Sequence, residues 1–166
     1  MRGSRAAVRK AAHERRLHPS QLATTLALCV LTDQQVCFAQ IGDGVSCVRT
    51  KGALAAPLAP HRGVYANETT FITSGTRLPW VTLKTYPATD VDAFCLSSDG
   101  LRLVITSSAA TGEPYRPFFA DLFSFVEQGG SSAGLARFLE TVEERTGDDK
   151  SLVVGVCPLD PPAAAL

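Results

Sequence analysis

The sequence predicts an α+β fold built on mainly antiparallel sheets. Alternating apolar runs fill the chain as far as Asp99, two helical patterns follow, and one more apolar run closes the order. A Gly-Asp-Gly at 42–44 separates two of the runs, and Asp-Gly in that setting signals an antiparallel turn. The regular βαβ alternation of a doubly wound sheet is absent, and so are the G-x-G-x-x-G and G-x-x-x-x-G-K-[ST] nucleotide loops.

Taken in order, Ser4 to Leu17 sets an Ala/Val face against an Arg/Lys face and reads as a helix. His18-Pro19-Ser20 stops it, because the residue before a proline disfavours helical backbone. Thr24–Leu31 alternates, with Leu26, Leu28 and Val30 on one side, as a half-buried strand requires. A polar turn at 33–35 leads to strands at 36–41 and 45–50, so Thr24–Thr50 is expected to be a meander. Lys51–Gly63, rich in Ala, Pro and Gly, is expected to be loop, with strands at 69–74 and 80–86. Residues 92–100 read as an inner strand, almost continuously apolar up to Asp99. The stretch 114–128 becomes helical after two prolines, with Phe118, Leu122, Phe125 and Val126 on one face. Residues 132–146 form an amphipathic helix with Leu135, Phe138, Leu139 and Val142, capped by Ser131 or Ser132. Residues 151–157 are the last buried strand. The expected domain runs over residues 1–160, and the Pro/Ala tail at 161–166 frays.

Hydrophobic residues make up 45% of the 166, which places the chain among globular domains with a real core. No apolar run approaches the ~18–20 residues that span a bilayer. The basic start is not followed by the apolar segment of a secretory signal. Net charge is zero, so global electrostatics call for no polyanion. Charge is uneven, however. Arg2, Arg5, Arg9, Lys10, Arg15 and Arg16 crowd the start, and Glu140, Glu143, Glu144, Asp148 and Asp149 a later stretch. The basic cluster reads as a solvated helix face, so neither nucleic acid nor membrane is expected; an anion-binding helix is the alternative. Cys29, Cys37, Cys47, Cys95 and Cys157 lack metal or disulfide spacing and read as free thiols in a reducing cytoplasm. His13, His18 and His61 fall outside strands, and no nucleophile–histidine pairing emerges. Ser97-Ser98-Asp99-Gly100 lacks the G-x-S-x-G elbow. Trp80 and the phenylalanines of 114–128 read as core; the sequon at Asn67 has no role in a cytoplasmic protein.

Three aspartates stand where strands end or begin: Asp43, Asp99 and Asp148. A carboxylate on a rigid strand end keeps its geometry, and all-oxygen donors suit hard cations such as Mg²⁺ or Mn²⁺. Asp-Gly is equally a turn signal for conformational reasons alone. Spacing leaves both readings open.

Four segments, in order, resemble the C-terminal part of the metal-dependent protein phosphatases, the PPM or type 2C family. They are "ATTLALCVL", "VCFAQIGDGVSCVRTKG", "DAFCLSSDGLRLVI" and "GDDKSLVVGV", and together they span roughly Leu22 to Val156. "GVYANETTFITS" resembles the bacterial branch that carries G-D-G. The resemblance implies an αββα sandwich that hydrolyses phosphoserine or phosphothreonine by a metal-activated water. It places Asp99 and Asp148 on metal-binding positions and Asp43 on an accessory acidic position; Asp149 stands where the family often has Asn. The implied cofactor is Mg²⁺ or Mn²⁺, two ions in a complete site, and the implied substrate is a phosphoprotein.

The family also opens with a strand pair whose Asp-Gly-x-Gly aspartate bridges two ions. Residues before Thr24 resemble the following helix instead. The expectation is therefore a truncated phosphatase domain with its N-terminal strands missing and weak metal binding. Exposed sheet edges would favour self-association or pairing with a separate N-terminal piece. Either an active phosphatase or a non-catalytic interaction module is compatible with this.

Overall fold

A computed structural model describes residues 2–58, 69–74, 81–108, 111–143 and 147–157. His61, Asn67, Trp80, Glu144 and the tail lie outside the described residues.

Helix α1 (Arg2–Glu14) opens the chain. Its inner face carries Ser4, Val8 and Ala11 with the buried Ala12, at helical spacing, while Arg9, Lys10, Arg15 and Arg16 face solvent. Arg5 departs from the expected solvated face and is buried. A single 3₁₀ turn, Pro19–Leu22, follows. His18 caps it: the imidazole accepts from the Ser20 amide, and Gln21 accepts from the His18 amide.

Strands β1 (Leu26–Leu31), β2 (Gln35–Ile41), β3 (Val45–Thr50) and β4 (Ala53–Ala55) come next. After them come β5 (Thr82–Pro87) and β6 (Val91–Ser97). A 3₁₀ turn, Asp99–Leu101, runs into the short helix α2 (Arg102–Ile105). Strands β7 (Thr106–Ser108) and β8 (Glu113–Pro114) pair with each other. Helices α3 (Arg116–Glu127) and α4 (Ser132–Thr141) precede β9 (Leu152–Val156).

The main strands form two antiparallel sheets, β1-β2-β5 and β4-β3-β6-β9. This overturns the expected meander in one respect. β1 and β2 are a hairpin, but β2 and β3 belong to different sheets, so Gly42-Asp43-Gly44 is a crossing between layers. The side chain of Gln40 explains it. Its amide donates to the carbonyls of Gly42 (3.2 Å) and Gly44 (2.8 Å), bonds that a tight hairpin would have made across its own strands. Gly42, at φ +106°, lies against Thr25, leaving no room for a Cβ.

Between the sheets lie Val36, Phe38, Val48, Leu58, Val91, Phe94 and Leu96. Phe38 meets Phe94 and Tyr86 edge to face. The other side of the second sheet packs Val45, Cys47, Ala93 and Cys95 against Leu101, Ile105, Phe119, Leu122 and Phe123. The buried stripe of α3 is thus Phe119, Leu122 and Phe123, rotated from the expected one, and Phe125 is exposed. Apolar residues surround this helix, so spacing alone did not choose between stripes.

Other expectations also shift. Residues 69–74 are not a strand: the Phe71 amide bonds the Ser74 hydroxyl and the Ser74 amide bonds the Phe71 carbonyl, closing a turn. β4 replaces part of the expected loop, and α4 ends at Thr141.

β1 and β9 are edges of their sheets, and neither carries a charge or proline. Val30 (53% exposed) and Val153 (59%) stand on them. A cavity of about 330 Å³ opens between these edges, lined by Ala27, Gln40, Leu96, Ser98 and Leu152. Among the described residues no helix is long and apolar enough to cross a membrane.

Removing the Phe38 ring should cost about 3–5 kcal/mol, read as a lower urea midpoint for Phe38→Ala. Burial pushes the Cys47 thiol up from the ordinary 9.0 to about 12, and raises Cys95, its cross-strand partner. Unfolded chains ionise these thiols near 9.0 while the folded protein holds its protons. Stability from these groups is therefore full below that pH and falls as pH rises toward 12, by at most about 1.4 kcal/mol per unit per thiol. Urea melts from pH 7 to 10 should show the fall, reduced in Cys47→Ala.

Candidate active site at one end of the sandwich

Asp99 is the first residue of the turn that ends β6. The strand is buried along its whole length, so the turn has a rigid base. The side chain of Asp99 itself is exposed. Asp148 and Asp149 lie, also exposed, in the segment that leads into β9.

These two places touch. A Cβ on Gly100 would stand 2.6 Å from the Asp149 carbonyl oxygen and 3.1 Å from that of Asp148. Only glycine allows that approach, and here the reason is contact rather than a special backbone angle. Ser98 stitches the same junction. Its hydroxyl donates to the Asp149 carbonyl (2.9 Å) and accepts from the Ser151 amide (2.9 Å), while its own amide donates to the Ser151 carbonyl (3.1 Å). From the other side, Lys150 donates to the carbonyls of Leu139 (2.7 Å) and Val142 (2.8 Å), groups that the end of α4 leaves without helical partners.

Asp43 joins the group from the crossing between sheets. Gly44 lies against the Ser97 carbonyl, where a Cβ would stand 2.7 Å away. The Arg102 guanidinium donates to the Asp43 carbonyl and stands 3.9 Å from its Oδ2. Thr69 donates to the same Oδ2 at 2.7 Å. Sequence reasoning missed Arg102, Thr69, Ser98 and Lys150. Only Arg102 offered a signal, as a cation three residues after Asp99.

The backbones of all three turns therefore meet at one end of the sandwich. The carboxylates do not gather as closely: among the described residues no three His, Cys, Asp or Glu side chains form a set that could hold a metal ion.

A family model for protein phosphatase 2C matches residues 1–140. The chain belongs to the protein phosphatase 2C family. A solved structure of a bacterial serine phosphatase, bearing a point mutation, is 18% identical, with a TM-score of 0.43. The match covers 53% of this chain and 42% of that one, so the chain spans less than half of that phosphatase. No curated protein matches. For this phosphatase-family chain, the α+β architecture with antiparallel sheets and flanking helices agrees with the expected fold class.

Gly100→Ala should force the Asp99 turn and the Asp148–Asp149 segment apart and destabilise the fold by about 1–3 kcal/mol. Thermal melting against Gly129→Ala, whose Cβ meets no neighbour though its φ is positive, separates contact from backbone strain.

Proposed function

We propose that residues 1–160 form the part of a metal-dependent serine/threonine phosphatase domain that follows its N-terminal strands, acting on phosphate monoesters of phosphoproteins. One observation carries this reading: in a chain of the 2C family, the Asp99 turn packs backbone to backbone on the Asp148–Asp149 segment. Asp99 and Asp148 are the proposed metal ligands, with Asp43 as the accessory acid.

Oxygen donors suit Mg²⁺ or Mn²⁺ in kind. They do not suffice in number, since no three carboxylates come together among the described residues. The one acid of α1, Glu14, pairs with Lys10 (3.8 Å) and is not directed to these turns by any described contact. The residues of this chain therefore supply part of a cation shell. Their role is to present two exposed carboxylates from a fixed strand end and a tethered segment, and so to orient whatever binds between them. The bacterial G-D-G type of site and a cytoplasmic setting, suited to five free cysteines, belong to the same proposal.

The uncharged edges β1 and β9 and the cavity between them support a partner in this reading, either a separate N-terminal piece or a second copy.

Purified chain with Mn²⁺ should hydrolyse p-nitrophenyl phosphate. Asp99→Asn should lower the rate beyond the roughly 10–100-fold that loss of an outer-sphere partner costs. Absence of turnover with every divalent ion, alone and with the N-terminal piece, would remove the enzymatic reading. Light scattering after size exclusion should give a mass above one chain; a monomer at all concentrations would remove self-association.

A further inference from the structure

We propose that Arg102 is a built-in counter-cation for Asp43, so that in this chain Asp43 is a clamp between turns rather than a metal ligand. The proposal rests on the phosphatase reading for the ions at Asp99 and Asp148, and revises the accessory role given to Asp43.

The geometry is specific. Arg102 opens α2 directly after the Asp99 turn. Its Nη2 reaches across to the crossing between sheets, donating to the Asp43 carbonyl and standing 3.9 Å from Oδ2. Both side chains are mostly enclosed, Arg102 at 25% and Asp43 at 20% exposure. The Arg102 Nε is buried without an acceptor, and Nη2 carries the contacts to Asp43. Oδ2 is further engaged by the Thr69 hydroxyl at 2.7 Å.

A divalent ion approaching Asp43 would meet a fixed positive charge in a partly enclosed place, where Coulomb repulsion is weakly screened. It would also have to displace a hydroxyl donor from the carboxylate. The clamp has a structural effect as well. It ties the Gly42–Gly44 crossing to the turn that bears Asp99.

The test uses the full chain and four variants: Asp43→Asn, Arg102→Gln, their combination, and Arg102→Lys. Melting in EDTA reads the clamp without any ion. The combined variant should melt about 2–4 °C higher than additive loss predicts, and additive losses would overturn the proposal. Arg102→Lys keeps the charge and guards against a Gln variant that fails to fold; it should lose less than Arg102→Gln.

Calorimetric titration with Mn²⁺ reads the counter-cation. Asp43→Asn should leave wild-type affinity within about twofold, and Arg102→Gln should raise it about tenfold, a gain that the added Asp43→Asn removes. A tenfold loss from Asp43→Asn alone would overturn the proposal. Coupled melts in a chain that binds no Mn²⁺ would support the clamp and sink the ligand roles of Asp99 and Asp148 instead.

Discussion

The change of sheet between Ile41 and Val45 is the constraint on which the rest of the molecule depends. Six residues of hairpin partner precede it in one layer, and the next strand begins in the other. A backbone that leaves one ladder and joins another exposes carbonyls on the way. Here the buried Gln40 amide takes two of them. The cost of burying an amide is offset by a crossing short enough to set the two sheets face to face over Phe38 and Phe94. Once that spacing is fixed, Gly44 comes to rest on the end of β6, and the first and second aspartate turns become neighbours.

Much of the fold was legible in the sequence because the apolar periods were clean. The seven residues of β6 are buried without interruption, and the sequence shows its middle, Ala93 to Leu96, as an apolar run. α1 and β1 through β3 fell close to their expected places for the same reason. What was not legible is which ladder a strand joins. Gly-Asp-Gly permits a hairpin and a crossing alike, and the deciding group, Gln40, reads as an ordinary polar residue within a strand. Thr69–Ser74 has strand composition and forms a turn, since its bonds run to a serine hydroxyl within the segment and to Asp43. The stripe of α3 was ambiguous because five phenylalanines and leucines crowd nearly all sides of it.

The candidate site shows the same division. That the Asp99 and Asp148 regions belong together was implied by the family resemblance and not by spacing; the structure brings their backbones into contact through Gly100. Which groups hold them there did not follow. Arg102, Thr69, Ser98 and Lys150 act through one or two side-chain hydrogen bonds each, to backbone or to one carboxylate, and such bonds leave no period in a sequence.

The two hydrogen bonds of Lys150 link helix α4 to the segment that carries Asp148 and Asp149. The ammonium holds the C-terminal carbonyls of α4, while the neighbouring residue is hooked to Ser98. The strip carrying Asp148 and Asp149 is therefore strung between a helix on the outside and a strand within. The position of the acidic strip at the rim is thus set by two elements at once, α4 through Lys150 and β6 through Ser98.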